Sequence, residues 1–168
     1  MIELDDLDEL FDDLSFDEPT ADQIFTMYGI FLKDFKNIPL TVKGKTLKIN
    51  ENRSFHPLFK NKAETFVHVI TRKSDHNDKR YFDKHRANKI HWIRPVLENA
   101  DDDRILCFER LNDKNENQHY FWFAEKEFIV ILREIDPDVL LITAFCVDKH
   151  EGVKYKRWYD EHKGLKKK

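Results

Sequence analysis

The pattern of apolar and polar positions divides the chain into a helical first half and a strand-rich second half. Apolar residues recur at helical spacing from Ile2 to Leu14, which predicts an amphipathic helix with one apolar and one anionic face. A second amphipathic helix is predicted over "TADQIFTMYGIFLKDF", where Thr20 or Asp22 suits the N-cap position. The segment "IPLTVKGKTLKI" predicts a β-hairpin with Gly44 in its turn.

Four aromatic or β-branched runs follow in the second half: "RILCFER", "HYFWFAE", "EFIVILREI" and "VLLITAFCV". Only short turn segments separate them. Because parallel crossovers need about a dozen connecting residues or more, runs joined this closely predict an antiparallel meander. The last segment, "EGVKYKRWYDEH", predicts a helix that returns basic and aromatic side chains toward the sheet.

The predicted fold class is therefore α+β. It comprises N-terminal helices and a small hairpin, a long basic helix packed on one face of a four-stranded antiparallel meander, and a C-terminal helix. We divide the chain into an acidic amphipathic head (residues 1–18), a helix plus hairpin (19–54), an α+β domain (55–162) and a basic tail (163–168).

The long basic helix is predicted over "KRYFDKHRANKIHWIRP", residues 79–95, where eight Lys, Arg and His residues accompany one acid, Asp83. On such a helix Arg86 falls within the apolar stripe that contains Phe82 and Ile90. A buried, unpaired guanidinium is very costly. Arg86 therefore needs an acidic partner, a position at the rim of the core, or a ligand, and its planar fork suits a phosphate.

Charge is distributed unevenly along the 168 residues, although the net charge is only -3. The first 25 residues hold ten acids and no Lys or Arg, which leaves 22 acids against all 29 Lys and Arg in the remainder. A basic body suggests a polyanionic partner, for which an acidic head would compete. The alternative interpretation is that the head is a solvated, solubilising tail.

Several classes of protein are disfavoured by the sequence. No run of about 18 apolar residues predicts a membrane span, and the acidic N-terminus does not resemble a secretory signal, so a cytoplasmic protein is expected. Cys107 and Cys146 lack metal-ligand spacing and are predicted to be free thiols. Motifs for phosphate loops and metalloenzymes are absent from the sequence, so neither a metal nor a cofactor is expected.

Two residues outside the basic segment have polar side chains in apolar surroundings. His68 lies within "ETFVHVITR" and is either a core histidine or a proton carrier, since imidazole titrates near neutral pH. Arg72 is expected close to it in either a helix or a strand. Thr143 is the one hydroxyl of "LLITAF"; it is either an ordinary strand residue or a donor to a phosphate or a reacting 2'-hydroxyl.

The order of these elements, together with "HRANKIHWI" and "FIVILREIDPDVLLITAF", resembles the phage-associated nucleases of the barnase/EndoU/colicin/RelE group. The resemblance covers roughly residues 55–162 and implies RNA cleavage without a metal. Catalytic residues are poorly shared within that group. By analogy, His68, Arg86 and Thr143 are the implied catalytic residues, and the acidic head lies outside the resemblance.

The expected function is a metal-independent endoribonuclease acting on tRNA or mRNA, in the manner of a toxin or phage effector. Two alternatives stay open: a non-catalytic nucleic-acid-binding module, and an interaction protein whose residues 1–18 contact a protein partner or inhibitor. The same cations would serve RNA binding in either of the first two cases. The predicted RNA-binding residues are Arg72, Arg80, Lys84, Lys89, His91, Tyr155, Lys156 and Arg157.

Overall fold

A mixed β-sheet forms the centre of the computed structural model, which describes residues 3–166. Within that range the strands are β1 (Thr41–Val42), β2 (Lys45–Lys48), β3 (Thr71–Lys73), β4 (Arg80–Phe82), β5 (Ile105–Leu111), β6 (Asn117–Phe123), β7 (Phe128–Ile135) and β8 (Asp138–Cys146). Six of them form the sheet, in the order β1-β2-β8-β7-β6-β5. The other two, β3 and β4, form a separate antiparallel pair.

Five α-helices accompany the strands in the described part of the chain. They are α1 (Ala21–Leu32), α2 (Glu64–Ile70), α3 (Lys84–Ala87), α4 (Ile93–Glu98) and α5 (Lys149–Lys166). The predicted N-cap of α1 is confirmed, since Thr20 and Gln23 form a reciprocal capping box. Over the described residues, no helix combines the length and apolar character that crossing a membrane requires.

The predicted four-stranded antiparallel meander was wrong, although the broad α+β class is confirmed. Strands β5 to β8 do follow one another as antiparallel neighbours. The predicted hairpin is also present, with Gly44 at φ +81° in its turn, but β2 extends the sheet by pairing in parallel with β8. The parallel pair joins Leu47 to Val139, which are far apart in the sequence. The prediction considered only strands that follow one another through short turns, so it did not detect this pair.

The predicted long basic helix over residues 79–95 was also wrong. Its first residues form β4, which pairs with β3 in the register Thr71 to Phe82. Asp83 then caps the short helix α3, because its side chain accepts the main-chain N–H of Arg86 at 3.1 Å. Beyond α3 the chain passes through a 3-10 turn at Ile90–Trp92 before α4 begins.

The acidic head does not form the predicted amphipathic helix. Its only helical turn within the described residues is a 3-10 turn at Leu4–Asp6. Three leucines of the head, Leu4, Leu7 and Leu14, are nevertheless buried in the main core. The apolar spacing thus marked buried positions but not a helix. The backbone of the head forms a hydrogen bond with the body, in which the N–H of Leu10 donates to the main-chain carbonyl of Asn88. The predicted start at Ile2 and the end of the basic tail, residues 167–168, lie outside the described residues.

Helices cover both faces of the sheet instead of the single face predicted. On one face, side chains such as Phe121, Val130 and Leu132 join the core formed with α1, α2, α4 and the head. On the other face α5 covers a second, aromatic cluster. That cluster comprises Phe108, Tyr120, Trp122, Ile129, Ile131, Val147 and Tyr155.

Candidate functional site

Two arginines meet where α2 gives way to β3. The main-chain carbonyl of Thr71 accepts hydrogen bonds from Arg86 Nη1 at 2.7 Å and from Arg80 Nη2 at 3.0 Å. Arg80 Nε also donates to Thr71 Oγ1 at 2.9 Å. A carbonyl oxygen has two lone pairs and accepts both donors without conflict. The two guanidinium groups are therefore held side by side although they come from β4 and α3.

Asp83 explains how the chain returns Arg86 to this point. Its main-chain N–H donates to the carbonyl of Ile70, the last residue of α2, at 2.9 Å. Its side chain caps α3 through the N–H of Arg86. One residue thus fixes both the entry of the chain and the direction of the short helix, which places the Arg86 side chain beside the end of α2.

Negative charge near the arginine pair is limited. Asp83 Oδ2 lies 3.7 Å from Arg86 Nε and 3.9 Å from Arg72 Nε. For Arg80, no carboxylate of the described side chains comes within 4 Å. Burial lowers the pKa of Arg80 and of Arg86, and the charge of Arg86 lowers that of Arg80 further. A partly desolvated site with excess positive charge favours an anion.

His68 lies on α2, three residues before Thr71, and is half-buried. Burial lowers its pKa below the usual 6.5, and the charges of Arg80 and Arg86 lower it further. All three causes disfavour the imidazolium form. The imidazole is therefore neutral at physiological pH, which is the form that accepts a proton.

Thr143 contacts the same helix, through the backbone of His68. Its hydroxyl donates to the main-chain carbonyl of His68 at 3.4 Å, a long distance for an O–H···O bond. The contact arises where β8 pairs with Ile131 of β7, next to an irregularity in the register of the two strands. Thr143 thus holds β8 against α2 through the main chain of His68.

Two of the three predicted catalytic residues, Arg86 and His68, line different cavities. Arg86 borders a cavity of about 470 Å³ together with Phe145, Glu151 and Tyr155, and its guanidinium carbon lies 5.2 Å from the Phe145 ring centroid. His68 borders a smaller cavity of about 200 Å³ whose lining includes Glu64 and Arg133. His68 and Arg86 therefore do not share a cavity, although the charge of Arg86 lowers the pKa of His68.

Two predicted RNA-binding residues bond to the acidic head. Lys89 Nζ lies 3.9 Å from Glu9 Oε1, and His91 Nε2 bonds to the main-chain carbonyl of Asp8 at 2.7 Å. Lys89 is mostly buried, with 14% of its side chain exposed. These two side chains therefore fix the head to the body in this structure.

Two other predicted cations flank the arginine pair. Arg72 extends from β3 with 61% of its side chain exposed, and its Nε lies 3.9 Å from Asp83 Oδ2. Lys84, the first residue of α3, lies 4.3 Å from the ring centroid of Phe16. Arg72 is thus the accessible guanidinium next to the buried pair.

The three predicted binding residues of α5 differ in burial. Tyr155 is buried in the aromatic cluster, and burial raises its pKa to about 12. Lys156 pairs with Asp160 at 2.9 Å on the exposed side of α5. Arg157 is exposed on the same helix. Tyr155 is thus a core residue that is 5% exposed and borders the Arg86 cavity.

Sequence reasoning missed Thr71 and two exposed aromatic residues, Phe55 and Tyr81. Thr71 follows an apolar run, and the sequence does not indicate that its main-chain carbonyl accepts hydrogen bonds from two arginines. Phe55 is 89% exposed and Tyr81 is 45% exposed. The signal for Tyr81 was its place in the alternation of β4, between inward-facing Arg80 and Phe82.

One group of three side chains within the described residues has the spacing of metal ligands. Donor atoms of Glu109, His119 and Glu134 all lie within 4.8 Å of one another. Glu134 already accepts from His119 at 3.0 Å and from Lys45 at 3.1 Å. These bonds, with one from Asn117, lower the pKa of Glu134 to about 2. The Lys45 ammonium supplies the positive charge that a metal would otherwise bring.

Comparisons of the chain with protein-family models, with curated proteins and with solved structures find no match. The nuclease resemblance therefore stays a prediction, and the function has to be argued from the geometry around Thr71.

Proposed function

We propose that the chain is a metal-independent endoribonuclease whose site surrounds the end of α2. The observation that supports this most is the pair of half-buried arginines on the Thr71 carbonyl, with a neutral imidazole next to them. A phosphodiester brings the negative charge that this group lacks, and guanidinium forks bind phosphate oxygens well.

In the proposed reaction the RNA supplies its own nucleophile. His68 accepts the proton of a 2'-hydroxyl, the 2'-oxygen forms a bond to phosphorus, and the bond from phosphorus to the 5'-oxygen breaks. The leaving 5'-oxygen takes a proton from water, and the hydroxide that remains takes the proton from the His68 imidazolium, which yields a 2',3'-cyclic phosphate, a 5'-hydroxyl and neutral His68. Arg80 and Arg86 would stabilise the charge that develops on the phosphoryl oxygens. Thr143 would have an indirect part, since it supports the backbone of His68.

The experiment incubates the full-length protein with total tRNA and with mRNA in EDTA, followed by analysis of the fragment ends. The full chain is required because leucines of the head belong to the core. Cyclic-phosphate ends that disappear with His68→Ala, and persist with His76→Ala in the exposed loop, are the expected result. Cleavage that is equal in all three proteins would remove His68 from the mechanism.

A non-catalytic binder of single-stranded RNA is the second candidate. It is favoured by the separation of His68 and Arg86 into two cavities and by the bond of Thr143 to main chain only. Intact RNA together with salt-sensitive binding in the same experiment would select this candidate. The interaction-protein alternative has less support, because the head is packed into the body instead of presenting a free helix.

A further inference from the structure

Two exposed aromatic side chains border one groove beside the arginine pair. The groove has a volume of about 550 Å³ and is lined by Phe55, Pro57, Leu58, Val67, Arg80 and Tyr81, among others. Phe55 is 89% exposed and Tyr81 is 45% exposed. Large aromatic side chains usually bury most of their surface, so two exposed rings on one groove suggest a surface built for a ligand.

The loop that carries Phe55 is held in place by hydrogen bonds. The N–H of His56 donates to Ser54 Oγ at 2.9 Å, and that of Leu58 donates to His56 Nδ1 at 3.2 Å. Because Nδ1 is an acceptor, Nε2 of the same ring is the donor in its 2.8 Å bond to the main-chain carbonyl of Arg80. His56 therefore ties the Phe55 loop to the strand that carries both Arg80 and Tyr81.

Charges of both signs border the groove, since Glu64 and Asp78 line it as well as Arg80. Tyr81 pairs directly with Arg72 across β3 and β4, so an exposed guanidinium stands beside the exposed ring. Lys79 adds a second cation to the groove. Glu64 lines both this groove and the His68 cavity, which makes the two spaces neighbours along α2. A ligand with flat apolar faces and anionic linkers fits this combination.

We propose that Phe55 and Tyr81 form a stacking site for an unpaired nucleobase of single-stranded RNA, next to the phosphate held by the arginines. This inference rests on the proposed function and specifies its substrate as single-stranded. Bases in a duplex are already stacked on each other and do not offer their faces to protein rings. Glu64 and Asp78 at the groove supply acceptors for the amino group of a base such as cytosine.

The test measures binding of a fluorescein-labelled 2'-O-methyl decacytidylate by fluorescence anisotropy, using the full-length protein. The 2'-O-methyl groups prevent cleavage during the titration. A strand of the same length and charge with abasic sites at every position reports the phosphate contribution alone. We expect the wild type to bind the base-bearing strand more tightly than the abasic one.

Phe55→Ala and Tyr81→Ala are each expected to weaken binding of the base-bearing strand about tenfold, while binding of the abasic strand stays unchanged. Tyr81→Phe keeps the ring and should bind like the wild type. Phe25→Ala is the matched control, because Phe25 is 81% exposed on α1 and does not line this groove. All four changes are at exposed positions, so circular dichroism should report an intact fold.

Two results would overturn the inference, and they differ in their meaning for the proposed function. Unchanged binding by Phe55→Ala and Tyr81→Ala, with weakened binding by Arg86→Ala, would reject the stacking site and leave the RNA site at the arginines. No binding of either strand by the wild type at low salt would reject RNA as the ligand, and the stacking site with it.

Discussion

Arg86 and Thr71 are joined by a 2.7 Å hydrogen bond from a guanidinium nitrogen to a main-chain carbonyl oxygen. The bond gives a half-buried cation a fixed position without neutralising its charge. Arg80 uses the same oxygen, so two positive charges are held together by a neutral acceptor. Asp83, with Oδ2 3.7 Å from Arg86 Nε, is the carboxylate near the pair, and an anion would add the negative charge that Arg80 lacks.

The first prediction concerns the charge of Arg86. Arg86→Ala should weaken binding of single-stranded RNA by tenfold or more, because it removes a partly desolvated partner of the phosphate. Arg86→Lys should restore part of the affinity, since it keeps the charge but not the fork. The measurement is a titration at two salt concentrations. Lys114→Ala is the control: it removes an exposed cation from the turn between β5 and β6 and should change affinity less than twofold. Equal losses in both alanine variants would indicate unspecific attraction to a basic surface.

The second prediction concerns the titration of His68. Because the positive charge of Arg80 helps to lower the pKa of His68, Arg80→Gln should raise that pKa toward 6.5. NMR titration of the imidazole protons measures the change whether or not the protein is active. If His68 is the base, the acidic limb of the pH dependence of kcat/KM should move to higher pH in the same variant. An unchanged His68 pKa would contradict the proximity of the two side chains.

The third prediction concerns Asp34. Burial raises the pKa of its carboxyl group from 3.8 to about 6. The folded state therefore binds the proton more tightly than the unfolded state does. The free energy of unfolding falls as pH rises from about 4 to 6 and stays reduced above that range. Asp34→Asn should increase it by about 1–2 kcal/mol at pH 8 and by much less at pH 4. Urea unfolding at both pH values is the measurement, with Asp103→Asn as an exposed control.

The fourth prediction concerns the acidic head. Leu7 is only 2% exposed and belongs to the main core, so Leu7→Ala should lower the free energy of unfolding by about 2–4 kcal/mol. Leu111→Ala, at a position that is 63% exposed, should change it by less than about 0.5 kcal/mol. Chemical denaturation distinguishes the two. If Leu7→Ala has no effect, the head is a detachable segment after all.

Local patterns predicted most elements of the second half of the chain correctly. The four strand-like runs are rich in apolar residues and have short turns between them. They form β5 to β8, in the predicted order. The hairpin at Gly44 and the C-terminal helix are present as well. These features depend on neighbours in the sequence, which is the information that periodicity contains.

Features that depend on distant residues could not be predicted. The parallel pairing of Leu47 with Val139 has no local signal, and it changed the sheet from four strands to six. Asp83 was read as the one acid of a basic helix, whereas it caps a short helix after a strand. For the site, His68 and Arg86 were identified from charge within apolar runs. The carbonyl of Thr71, which organises them, has no side-chain signature.

The parallel contact between β2 and β8 also constrains how the chain is made. A two-stranded hairpin alone is at best marginally stable in water, and the partner of Leu47 is residue 139. During synthesis the hairpin therefore has no partner strand until β8 has been made. Contacts between residues so far apart in sequence slow folding and leave strand edges exposed in the meantime. Nascent chains should accordingly depend on chaperones until the last strand joins the sheet.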